Sequence, residues 1–169
     1  NIPRYECVIH FRCADTPFVR HSSYHLLKYS WYYKAVNIAL QYKSIQKIHI
    51  LMCNSHLSHP LSHLCNNLVK DLQDFLRKIF GIPSIVVCNS PEEDFSIMYN
   101  SQVLIAGGIS SFSFFAGLAS DNLFILPTFE KEDGNGPPPI SCRENMVFIR
   151  KEFVKHNNVV DYSHIDNII

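Results

Sequence analysis

The sequence predicts an α/β domain of the Rossmann-like type, a parallel sheet of about five strands with helices on both faces. Three features predict it. Short, almost wholly apolar runs recur at 5–12 (YECVIHFR), 47–53 (KIHILMC) and 84–88 (SIVVC), and they read as central strands buried on both faces. Longer segments between them return an apolar residue every three or four positions, the period of an amphipathic helix. The two patterns alternate, and strands separated by helices imply right-handed crossovers within a parallel sheet.

The elements follow in order. After the first strand, residues 30–43 space Trp31, Ala35, Ile38, Ala39 and Tyr42 on one helical face, with Ser30 as the expected N-cap. The aromatic run Tyr29, Trp31, Tyr32, Tyr33 fits packing against the sheet better than stacking on a ligand. The strand at 47–53 leads to a second helix over 64–80, periodic through Leu68, Leu72, Phe75, Leu76 and Ile79, and stopped by Gly81 and Pro83. Ser90-Pro91-Glu92-Glu93-Asp94 then has the form of a helix start: a capping serine, proline at the first helical position, acids at the positive end of the dipole. That helix ends near Asn100. A strand at 102–106 (QVLIA), a Gly107-Gly108 turn, a helix over 110–118 and a strand at 122–126 (NLFIL) complete the pattern. Residues 127–145 hold EKEDGNG and three consecutive prolines, a composition for a long surface loop. Met146 to Ile149 can add a last strand or an edge segment.

At 169 residues the chain fits a single domain whose core closes without disulfide or metal staples. Fifteen Lys and Arg balance fifteen Asp and Glu, so no basic surplus supports nucleic-acid binding. The chain lacks the uninterrupted apolar run of a membrane span. The cysteines (Cys7, Cys13, Cys53, Cys65, Cys88, Cys142) are scattered without a C-x-x-C pair and are expected to be reduced thiols, which favours a cytosol-like compartment. The chain opens on Asn1 and runs almost at once into a strand, as expected for a domain taken from a longer protein.

In a parallel sheet ligands bind beyond the carboxyl ends of the strands. HFRCAD, 10–15, lies at such an exit. The Arg12 guanidinium is permanently charged and can hold a phosphate through two parallel hydrogen bonds. The alternative is an Arg12–Asp15 pair that merely orients the loop. His10 by itself reads as a core histidine. A second place is the start of the helix after Gly107-Gly108, where Ser110, Ser111, Phe112 and Ser113 bring hydroxyls and unpaired amides to a positive helix end. Ordinary N-capping by Ser110 or Ser111 is the plainer explanation. The stretch is neither G-x-G-x-x-G nor a Walker loop.

Taken together, H-x-R-x-x-D after the first strand, D-x-x-x-M at 94–98 and S-S-x-S at 110–113 resemble the donor-binding half of the GDP-fucose-dependent fucosyltransferases, the α-1,2 type most closely. The likeness spans about residues 5–126. It implies one nucleotide-sugar-binding domain over 1–169, the C-terminal half of a two-domain glycosyltransferase. By the same resemblance Arg12 holds the β-phosphate, Ser110 and Ser111 with Phe112 form the neighbouring donor contacts, and His10 and Asp94 meet the nucleoside. Asp15 organises the loop or faces the reacting sugar. The implied reaction is inverting transfer of fucose from GDP-fucose to a glycan hydroxyl, with no metal ion and no other cofactor, and with a second domain of the same polypeptide and a glycan acceptor as partners. A lumenal Golgi location would follow for a secretory enzyme of this kind. The family pattern usually has two adjacent arginines, and here the second is Cys13. A non-catalytic nucleotide-sugar-binding module and a different donor are therefore the alternatives, and Arg20 or Lys28 could replace the lost charge.

One further cluster, His56, His59, His63 and Cys65, has partial zinc-ligand spacing, but Pro60 interrupts it and no second ligand pair accompanies it. A polar loop entering the second helix is the preferred explanation.

Overall fold

A computed structural model describes residues 5–13, 16, 26–52, 62–128 and 143–150, without the side chains of residues 62 and 63. Six strands, β1 (Cys7–Phe11), β2 (Ile48–Leu51), β3 (Ser84–Val87), β4 (Val103–Gly107), β5 (Leu123–Pro127) and β6 (Met146–Ile149), form one sheet. Their order is β3-β2-β1-β4-β5-β6 and every pairing is parallel. This is the order of a doubly wound dinucleotide-binding fold, whose chain reverses direction across the sheet between β1 and β4. The sheet has one strand more than the sequence suggests, because the short MVFI segment joins it. Asn145 explains how: its side-chain amide donates to the carbonyls of Ser120 (3.1 Å) and Asn122 (2.7 Å), holding the start of β6 against the turn before β5.

The helices are α1 (Tyr29–Tyr42), α2 (Ser62–Phe80), α3 (Pro91–Asn100) and α4 (Ser111–Ala119). Alternation along the strands sends Cys7, Ile9, Phe11, Ile48, Ile50, Val103 and Ile105 into the layer with α1 and α2. Val8, Leu51, Leu104, Ala106 and Phe124 enter the layer with α3 and α4. In α1, Tyr29, Trp31 and Tyr32 are buried, as expected of packing residues, and Tyr33 stacks on Phe80 at 5.5 Å. Its N-cap is Lys28 rather than Ser30, and no side chain caps it. Gly81, at φ 67°, ends α2 in the left-handed conformation with its N–H bonded to the Arg77 carbonyl. Ser90 and Glu93 complete a reciprocal capping box at α3, with Pro91 at its first turn.

Two expectations are corrected. The segment 84–88 is not a central strand: β3 lies at the sheet edge, and Ile85 is exposed. The cysteines are not all reduced. Cys13 and Cys65 form a disulfide across 52 residues, with Cα atoms 5.8 Å apart, and Cys88 is disulfide-bonded as well. Cys7 alone among the described cysteines is a free thiol; burial, reinforced by Glu6, pushes its pKa up to about 12 and leaves it an inert core residue. No helix among the described residues is long and apolar enough to cross a membrane.

Gly117 sets the approach of α4 to the sheet. A Cβ there would run into the ring of Phe124, a fully buried β5 side chain. Gly117→Ala is therefore expected to destabilise the fold by about 1–3 kcal/mol through overpacking, despite the better helix propensity of Ala. A denaturation midpoint at or above that of the wild type would show that α4 shifts freely.

Candidate functional site

The carboxyl ends of four strands meet around one cleft. It measures about 240 Å³ and is lined by His10, Phe11, Arg12 and Cys13 at the end of β1, Leu51 at the end of β2, Asn89, Pro91 and Asp94 after β3, and Ser110 and Phe112 after β4. The strand register accounts for the meeting of the two segments singled out in the sequence. His10 pairs with Ala106 and Phe11 with Gly107, so the next residue on each strand, Arg12 and Gly108, leave the sheet side by side. Gly108 has φ +155°, and a Cβ on it would lie 2.9 Å from Arg12 Cβ. Only glycine lets the two segments come this close. From the opposite layer the Tyr32 hydroxyl donates to the Gly107 carbonyl at 3.0 Å, fixing the strand end from which the loop departs.

The start of α4 differs electrostatically from the start of α3. At α3 the capping box and three acidic residues already answer the exposed amides and the positive dipole end. At α4 no acid lies in the first turn, and Ser110, although it occupies the N-cap position, makes no side-chain cap hydrogen bond. Its Oγ is buried without a hydrogen-bond partner at the cleft wall. Simple capping by Ser110 is thus not realised, and a buried hydroxyl beside unanswered amides is a place for an anionic oxygen. Ser111, the first residue of α4, is exposed and lies outside the cleft lining.

Two titratable groups complete the wall. His10 packs edge-on to the Phe112 ring at 5.9 Å, and its Nδ1 is buried without a hydrogen-bond partner. Burial, and then the Arg12 guanidinium, lower its pKa to about 4, so the ring is neutral at neutral pH. Asp94 is 5% exposed, and burial holds its carboxyl above the usual carboxylate range, opposed by hydrogen bonds from Asn89. Asn89 Nδ2 donates to Asp94 Oδ1 at 2.9 Å. Phe112 touches Phe95 of α3 at a ring separation of 5.8 Å, which ties the start of α4 to the helix carrying Asp94.

No protein-family model, curated protein or solved structure matches the chain. The site therefore stands on its own geometry. That geometry brings together His10, Arg12, Asp94, Ser110 and Phe112. Asp15, Arg20, Tyr24, His25, His56 and His59 lie outside the described residues, as does most of the surface loop, and Cys65 is committed to a disulfide rather than to a metal. Among the described residues no group of three potential metal ligands occurs. Asn89 was not anticipated, although its position one residue before the Ser90-Pro91 helix start, at a strand exit, was a usable signal.

Proposed function

We propose that the chain is the nucleotide-sugar-binding domain of an inverting glycosyltransferase that moves fucose from GDP-fucose to a glycan hydroxyl. The observation that supports it most is that Arg12, Ser110 and Asp94, drawn from three separate segments, line a single cleft at the switch point of the sheet. Arg12 and the amides of α4 suit a diphosphate, and they would stabilise the charge that gathers on the leaving group as the sugar–phosphate bond breaks. Buried Asp94 suits a base with two adjacent N–H donors, as guanine has and uracil lacks. Neutral His10 can accept or donate one hydrogen bond to the nucleoside. The cleft is smaller than the ~300–1,000 Å³ of typical whole-ligand pockets. It suits the nucleotide end of the donor, leaving the fucose and the acceptor to lie beyond it, with a second domain of the same polypeptide to complete their site.

The disulfides support an oxidising compartment, such as a secretory lumen, over the cytosol. One observation favours a second reading, a binding module without turnover: Cys13 stands where the resembled family has its second arginine, and it is held in a disulfide. Titration calorimetry with GDP, UDP and their sugars tests both, followed by an assay for donor hydrolysis and transfer. Preference for GDP supports either; release or transfer of fucose selects the enzyme. Equal affinity for GDP and UDP would remove the guanine assignment. Asp94→Ala is expected to erase that preference by weakening GDP about tenfold or more while leaving UDP nearly unchanged. Undiminished discrimination would place base recognition elsewhere.

A further inference from the structure

The cleft has a covalent anchor directly beside its cation. Cys13, which follows Arg12, lines the cleft, is 1% exposed and is bonded to the fully buried Cys65 in the first turn of α2. The Thr16 N–H closes a turn onto the Cys13 carbonyl at 2.7 Å. On its other side Arg12 runs close beside Gly108, where a Cβ would come within 2.9 Å of the Arg12 Cβ. Strand β1 has no need of the bond, since it is hydrogen-bonded to β2 along one edge and to β4 along the other. The bond acts two residues beyond Phe11, the last β1 residue of those ladder pairs, and so holds the backbone on the far side of Arg12 from the sheet. An arginine held in place gives up less freedom on binding than one that must be ordered by its ligand.

We propose that Cys13 and Cys65, joined as a disulfide, are positioning residues for Arg12, so that the cleft binds a diphosphate tightly only while the bond is intact. This rests on the nucleotide-diphosphate reading above. Reduction needs a dithiol: one of its thiolates attacks a sulfur of the bridge, forming a mixed disulfide and releasing one cysteine; its second thiolate then attacks the first reagent sulfur and displaces the other cysteine, so the reagent leaves as its own cyclic disulfide and Cys13 and Cys65 each end with a proton.

The test compares GDP affinity in the oxidised wild type and in Cys13→Ala/Cys65→Ala, each in the presence and absence of Arg12→Ala. Removing the bridge is expected to weaken GDP about tenfold in the Arg12 background and to change nothing further once Arg12 is gone. Tryptophan fluorescence of Trp31, fully buried beneath the sheet, should remain native throughout. An independent measurement uses the wild type alone. Because coupling is reciprocal, saturating GDP should raise the dithiothreitol concentration that half-reduces the bridge, by the same factor, read by differential alkylation and mass spectrometry. Absence of GDP binding by the oxidised wild type would remove the nucleotide reading and this assignment together. Equal affinity with and without the bridge, or no effect of GDP on reduction, would remove this assignment alone. So would a tenfold loss that persists in the Arg12→Ala background, or loss of the native Trp31 signal on reduction, since the bridge would then be holding the fold and not the guanidinium.

Discussion

Replacing Arg12 with Ala is expected to weaken GDP binding by about 2 kcal/mol or more, roughly thirtyfold, while leaving the fold intact. Both halves of that result follow from where the residue sits. Arg12 lies just past the last paired residue of β1, half-buried at the cleft, so the core loses no apolar side chain when it is truncated. The permanent cation is what a proposed diphosphate would meet there, and the residue after it, Cys13, is taken up in a disulfide and adds no second charge. The α4 amides and Ser110 remain in the variant and retain part of the affinity. Calorimetric titration of GDP into both proteins checks the loss, and circular dichroism checks the fold. Arg12→Lys should recover only part of the binding, since a point charge lacks the bidentate geometry. Unchanged GDP affinity in Arg12→Ala would remove the phosphate-clamp role altogether.

Much of this arrangement could be read from the residues before any coordinates, and the reasons are physical. The helices announce themselves by local chemistry: Gly81 supplies the left-handed stop of α2, and Ser90, Pro91 and Glu93 act within a few residues of one another at α3. The site was legible because the strand-exit rule turns a sequence position into a spatial one; HFRC and GGISS must lie at the same end of a parallel sheet. What escaped depended on tertiary order. SIVV has the composition of a central strand, and only the order of the sheet puts it at an edge. Cys13 and Cys65 carry no spacing signal, since their approach is set by the docking of α2 against the sheet. Ser30 was a plausible cap by type, yet α1 begins earlier and Ser30 falls inside its first turn. Asn89 shows the intermediate case, a polar residue at a strand exit whose importance appears only once it is bonded to Asp94.

Lowering the pH should destabilise the domain in a window set by His10. Its folded-state pKa, about 4, lies below the ordinary value of 6.5, so between these values the unfolded chain binds a proton that the folded chain excludes. Stability contributed by the neutral ring is therefore complete above about pH 6.5, declines as the pH falls, and is lost below about pH 4. A shift of that size corresponds to roughly 3 kcal/mol across the window. His49, also lowered chiefly by burial, adds in the same direction. Asp94 and Asp71, whose pKa values are raised, oppose it, because their protonated forms are favoured by the fold. Comparison with His10→Gln isolates one contribution: denaturant midpoints at pH 7.5 and 4.5 should differ less in that variant than in the wild type. Arg12→Ala should flatten the dependence only in part, since the guanidinium is the lesser cause and burial the greater. A wild-type acid limb identical to that of His10→Gln would mean that the ring is already solvated in the folded state, and a solvated ring would not present the neutral, preorganised face that the proposed nucleoside contact calls for.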